Sequence, residues 1–133
     1  MKRILVDTDV LIDFTKGYSQ ILAALLAQQS QNILELHVTP VNIAEFFDNK
    51  ELTQETKRNK AMEFLAFFRV CEITKPIGVY AGELLRTKKV SFLGDALIAA
   101  ACVVGGFSLL TRNRRHFVPV PGLLLYSESS EKN

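Results

Sequence analysis

Apolar residues fall in two alternating rhythms along the chain. Short, nearly unbroken apolar runs read as buried strands: "RILVD" (3–7), "LHVT" (36–39), "RVCEI" (69–73), "FSLLT" (107–111) and "GLLLY" (122–126). Between them the apolar spacing becomes helical. Ile21, Leu22, Leu25 and Leu26 predict a helix over 18–29. Thr39 followed by Pro40 reads as an N-cap with proline at the first helical position, and Ile43, Phe46 and Phe47 form the face that follows. Ala61, Phe64, Leu65 and Phe68 fall at i, i+3, i+4 and i+7. Ile77, Tyr80, Ala81, Leu84 and Leu85 repeat the spacing, and a last helical run from Gly94 to Val104 is closed by Gly105 and Gly106.

Strand–helix alternation with continuous apolar strands predicts an α/β fold. It is a three-layer sandwich, with a central, mainly parallel sheet of about five strands and helices on both faces. A single domain is expected over residues 1–126, with a polar tail, "SESSEKN", over 127–133. In such sheets a site forms outside the carboxyl ends of the strands, where the strand order reverses. That places Asp7, Thr111 and Asn113 near one edge, with Glu45 one turn into the helix after the second strand.

Composition narrows the classes. The chain has 133 residues, 48% of them apolar, which suits a folded domain rather than a disordered one. Its net charge of +2 makes no general case for nucleic-acid binding, so any such binding must come from a local patch. Cys71 and Cys102 both lie in apolar sequence and read as free thiols of a cytoplasmic protein. Without a C-x-x-C pair, and with His37 and His116 as the only histidines, the pattern argues against zinc. The apolar run in "MKRILVDTD" is too short for a signal peptide. No uncharged apolar run approaches the ~20 residues of a membrane span.

Of the 14 acidic residues, Asp7, Glu45 and Asp95 sit in apolar surroundings. Each has a plain structural reading. Glu45 could be an exposed position of an amphipathic helix, Asp95 could serve the helix dipole, and the neighbouring Asp9 could cap a helix starting at Val10. Together they suggest more, because all three can reach one edge of the sheet. Converging carboxylates with no cation among them repel unless they protonate or bind a metal. Hard oxygen donors favour Mg²⁺ or Mn²⁺, and such an ion can activate a water at neutral pH.

The stretches "ILVDTDVLIDF", "TPVNIAEFF", "SFLGDALIAAACVVGGFSLLTRNRRHF" and "PGLLLY" resemble, in order and spacing, a PIN domain of the VapC-type toxin ribonucleases. The resemblance covers residues 2–126 and implies the PIN-like sandwich. It implies Asp7, Glu45 and Asp95 as metal-binding, catalytic acids, with Thr8 and Thr111 as supporting hydroxyls. Asn113 stands where many relatives carry a fourth acid, and His116 where relatives often carry Asp. Activity with one metal ion is therefore expected rather than two.

The resemblance also implies hydrolysis of an RNA phosphodiester by a metal-activated water, a homodimer, and an antitoxin protein bound in a groove near the active site. Arg112, Arg114 and Arg115 crowd the loop at the expected active edge and suit RNA phosphates. Phe67 lies off the main apolar stripe of its helix and is a candidate partner contact. Two rivals stand beside this reading. "ILVDTDVL" resembles the D-x-D opening of haloacid-dehalogenase-like phosphatases, but Leu11 and the lack of a second acidic pair depart from that pattern. A PIN fold that binds RNA or protein without cutting it is the other, kept open by Asn113 and His116.

Overall fold

The computed structural model describes residues 1–127; positions 128–133 of the expected tail lie outside the described residues. β1 (Lys2–Val6) is the central strand of a five-stranded sheet, with Ile4, Leu5 and Val6 fully buried. α1 (Thr8–Thr15) and α2 (Ile21–Ser30) lead to β2 (Leu34–Val38). α3 (Pro40–Phe47), a 3-10 turn (Lys50–Thr53) and α4 (Glu55–Leu65) lead to the short β3 (Arg69–Val70). α5 (Lys75–Arg86) and α6 (Leu93–Gly105) precede β4 (Ser108–Leu110), and α7 (Arg114–Phe117) precedes β5 (Leu124–Leu125).

All pairings among the described strands are parallel, in the order β3-β2-β1-β4-β5. Successive strands step outward from β1 to β2 and β3, then the chain returns to the other side of β1 for β4. The order therefore reverses between β1 and β4, and the crevice between their carboxyl ends is the switch point. Two apolar layers follow from the alternation of strand side chains. Ile4, Val6, Leu36 and Val38 pack with residues of α1 to α4 on one face. Leu5 and Leu109 pack with α5, α6 and Phe117 on the other.

The alternating α/β plan matches the expectation, and local differences have physical causes. Asp7, in extended conformation, caps α1, so the helix begins at Thr8 and Asp9 is not the cap of Val10. The third strand is two residues rather than five. It is an exposed edge, and beyond it only the Cys71 amide still reaches Val38 carbonyl, at 2.8 Å, before the chain turns into α5. α7 was not expected, because its four residues are too few to show a period. Phe68 falls past the end of α4 yet stays buried, edge-on to Phe64. Phe67 is 61% exposed, in keeping with its place off the stripe. Among the described residues no helix is long and apolar enough to cross a membrane.

Candidate active site

Two strand ends and two helix starts meet at the switch point. The Asp7 amide donates to Leu110 carbonyl at 2.9 Å, which sets the residue after β1 beside the residue after β4. The Thr111 hydroxyl then donates to Asp7 Oδ2 at 2.7 Å, and the Thr8 amide donates to Asp7 Oδ1 at 2.8 Å. Asp7 and Thr111 are both buried. Burial, more than any neighbour, pushes the Asp7 carboxyl up from its ordinary 3.8 to about 6. The negative charge of Asp9 adds to the rise and that of Asp95 adds less, while the bonds from Thr111 and Thr8 oppose it. An acid held this way resists ionising until something positive stands near it.

Glu45 reaches the same edge from α3. Its Oε1 accepts the Thr8 hydroxyl at 2.6 Å. Thr8 in turn accepts from Asn42 Nδ2 at 3.2 Å. Asn42 is fully buried and completes the cap of α3: its Oδ1 accepts from both the amide and the hydroxyl of Thr39, and its own amide donates to Thr39 Oγ1. Asp95 lies in the first turn of α6, partly buried, with Oδ2 3.1 Å from His116 Nδ1. An ionised carboxylate can only accept, so that ring nitrogen carries the proton in this contact.

Asp9 and Asp13 face the loop after β4. Asp9 accepts the Arg112 amide at 3.3 and 3.2 Å through its two oxygens. Its carboxyl is raised by burial, opposed by the Arg112 amide and charge. Asp13 takes the Arg112 guanidinium, with Nη1 3.1 Å from each carboxylate oxygen. Arg114 Nη1 donates to Tyr126 carbonyl at 3.1 Å. Arg115 is exposed, with no ion pair or side-chain hydrogen bond among the described residues. Asn113 is exposed too, and its amide donates to Thr111 Oγ1 at 3.1 Å.

Asp7, Glu45 and Asp95 thus come to one edge from three separate elements. Among the described residues, no three His, Cys, Asp or Glu side chains stand close enough together to enclose a metal ion as they are placed. The two peripheral acids lean on local donors, Glu45 on Thr8 and Asp95 on His116. The donor set still fits a hard divalent cation. All three donors are carboxylates, and among the described residues no lysine or arginine contacts Asp7. Sequence reasoning missed Asn42. Its signal was the Thr39-Pro40-x-Asn42 spacing of a capping box, with Asn in the place usually held by Glu or Gln.

The fold and the site together define an α/β domain with an acidic centre at its switch point. The sequence profile of the PIN domain matches residues 4–122, and the chain belongs to the PIN domain family. It is similar to Ribonuclease VapC10 of Mycobacterium tuberculosis, 34% identical over 118 residues that cover 86% of this chain and 85% of the relative. Ribonuclease VapC1 of Rickettsia felis is 24% identical over 137 residues, covering 96% and 98%. Among solved structures, VapBC2 from Rickettsia felis bound to a DNA fragment from its promoter aligns with a TM-score of 0.79 at 21% identity, over 93% of this chain and 97% of that one. DNA-bound VapBC from Salmonella typhimurium aligns with a TM-score of 0.76 at 19% identity, over 95% and 98%. At such identities the solved structures speak for the fold.

Proposed function

We propose that this chain, as a single domain over residues 1–126, is a divalent-metal-dependent endoribonuclease and the toxin of a toxin–antitoxin pair. Asp7, Glu45 and Asp95 hold Mg²⁺ or Mn²⁺, with Thr8, Thr111 and Asn113 in support. What supports this reading is the approach of the three acids to one sheet edge, Glu45 joined to Asp7 through Thr8 and Asp95 near enough to add to the rise of the Asp7 carboxyl. Names given to relatives, ribonucleases and complexes of VapB with VapC, supply the substrate and partner classes.

A bound divalent ion offsets phosphate charge and lowers the pKa of a water. The chain's own residues prepare the place. Thr111 and the Thr8 amide fix both oxygens of Asp7, so its outward lone pairs keep one direction. Thr8 fixes Glu45, and His116 holds Asp95 at the mouth of the crevice. Arg115 is the most available phosphate grip, and Arg112 can join only by leaving Asp13. Arg114, held on Tyr126 carbonyl, is the least free of the three.

The protein partner is an antitoxin segment. A groove of about 670 Å³ opens beside Glu45, lined by the apolar Ile12, Phe46 and Phe64 and by charges of both signs, Lys16, Lys50 and Lys60 with Asp48, and Lys57 3.9 Å from Glu51. It suits an extended or helical peptide with apolar positions. A homodimer and a cytoplasmic setting, in keeping with the free thiols Cys71 and Cys102, complete the proposal.

The rival, a PIN fold that binds without cutting, draws on one observation: Asp95 is engaged by His116. The test is RNA cleavage by the purified protein with Mn²⁺, with EDTA, and in Asp7→Asn. Cleavage that needs both the metal and Asp7 is the expected result. Cleavage unaffected by EDTA overturns the metal dependence, and none under any metal overturns the enzyme reading.

A further inference from the structure

Gly94 raises a question that the fold does not answer. It stands in the first turn of α6, where a glycine is a poorer helix former than alanine. Its φ is not among the positive ones, so the backbone does not require glycine there. Space does. A Cβ built on Gly94 meets Glu45 Oε2 at 3.3 Å and Val41 Cγ1 at 3.7 Å, and the first contact is tighter than side chains ordinarily tolerate. With any side chain at 94, the second oxygen of Glu45 would have to shift by a few tenths of an ångström.

The first oxygen is fixed from the other side, and the direction of each bond is forced. The Thr39 amide can only donate, so the Asn42 face turned to it at 2.9 Å is Oδ1. Asn42 Nδ2 must then face Thr8 and donate to its hydroxyl. With that lone pair used, Thr8 gives its single proton to Glu45 Oε1. The cap of α3 thereby decides which way Thr8 points and which oxygen of Glu45 it holds.

We propose that Asn42 and Gly94 are positioning residues for Glu45, Asn42 by setting the Thr8 proton on Oε1 and Gly94 by leaving the space in which Oε2 lies. The proposal rests on the reading of Glu45 as a metal ligand and adds how its carboxylate is aimed. It also explains why a helix start tolerates a residue that weakens it. Such supporting contacts commonly carry 10- to 100-fold in metal affinity or activity.

The test is Gly94→Ala in the full chain, with Mn²⁺ affinity by titration calorimetry and thermal unfolding in EDTA read side by side. The expected result is Mn²⁺ affinity about tenfold weaker, with an unfolding temperature equal to or above that of the parent. A glycine kept only because a Cβ would crowd the packing of α6 cannot give that opposition, since loss of fold stability and loss of affinity would then move together. Parent-level Mn²⁺ affinity in Gly94→Ala overturns the role of Gly94.

Asn42 is tested by a cycle, since its burial makes a lone variant prone to destabilise the fold. Asn42→Ser is expected to weaken Mn²⁺ binding in the parent and to have no further effect in Thr8→Val. Additive losses overturn the relay. Glu45→Gln separates the two levels. Weakened Mn²⁺ binding there supports the ligand reading, whereas parent-level binding overturns that reading and the positioning proposal with it.

Discussion

The two ends of the sheet both carry ionisable groups, and they handle them in opposite ways. Toward the amino end, Glu35 stands level with Arg3 and reaches along the sheet to Arg69 at 3.6 Å and His37 at 3.2 Å, and Arg3 lies over the Phe107 ring at 4.1 Å while donating to Gly105 carbonyl. Opposite charges alternate there. The bond from His37 holds the Glu35 carboxyl below its ordinary range, and burial holds His37 down as a neutral ring. At the carboxyl end, burial first and then the like charges of Asp9 and Asp95 push the Asp7 carboxyl up. At one end the carboxylate has a cation beside it, and at the other Asp7 has none among the described residues. Proximity of charges is shared by both, so the direction of the carboxylate shift is what separates a structural network from a candidate site.

The comparison breaks most clearly in catalysis. Asp7→Asn or Asp95→Asn is expected to lower RNA cleavage by orders of magnitude, since charge is removed with shape retained. Glu35→Gln at the opposite end should cleave as the parent does. Purified variants assayed against Mn²⁺ concentration decide it. Full activity in Asp7→Asn, or a comparable loss in Glu35→Gln, would erase the distinction between the two ends.

Stability should show the same contrast with reversed sign. Asp7 has a folded pKa of about 6 above its ordinary 3.8. Its contribution is therefore complete below the unfolded value and lost as pH rises through about 6, to a ceiling of ~3 kcal/mol. Without divalent metal, Asp7→Asn is expected to melt higher than the parent at pH 7.5 and to lose that advantage near pH 4. Glu35 is lowered, so its contribution is present above its unfolded value and disappears on acidification. Glu35→Gln should melt lower at pH 7.5, by a small amount, since its partner Arg69 is well exposed. An Asp7→Asn protein no more stable than the parent at pH 7.5 would mean that the carboxyl end is not strained.

Metal should act on one end alone. Binding to the folded state stabilises it by linkage, about 2.7 kcal/mol at a hundred times Kd. Millimolar Mn²⁺ is expected to raise the melting temperature of the parent and of Glu35→Gln, and to do so much less in Asp95→Asn. Equal shifts in all three proteins would place the ion elsewhere.

How much of this was legible follows from what leaves a mark in sequence. Continuous apolar runs and i, i+3, i+4 spacing marked the strands and most of the helices, because burial imposes those periods. Asp7, Glu45 and Asp95 stood out as charges inside apolar stretches. Asn42 did not, because a buried amide in a helix start looks like an ordinary polar position until its partner Thr8, 34 residues away, is beside it. The contact of His116 with Asp95 spans 21 residues and depends on how α6 meets α7, which no local pattern encodes. The three arginines of the loop looked equivalent, and only the fold gives Arg112 to Asp13, Arg114 to Tyr126 and leaves Arg115 in solvent.

The smallest expected effect concerns that last division. Asp13 is mostly buried while Arg112 is well exposed, at 14% and 64% of their side-chain surfaces, and the pair ties α1 to the loop after β4. A pair with one exposed partner contributes roughly 0–1 kcal/mol, so Asp13→Asn should melt within a few degrees of the parent. Asp9 still holds the Arg112 amide, so the loop backbone should stay in place. What changes is the freedom of the guanidinium, which no longer has a carboxylate to satisfy it. RNA affinity is therefore expected to rise slightly, with a steeper dependence on salt as one more cation meets phosphate. Cleavage should persist, since Asp13 lies outside the acidic centre. The Arg112→Ala protein should bind RNA more weakly than Asp13→Asn, and Arg115→Ala more weakly than the parent. Affinities from fluorescence anisotropy across a salt series test this. If Asp13→Asn leaves both affinity and salt slope unchanged, Arg112 does not face RNA, and the grip falls to Arg115 and its neighbours.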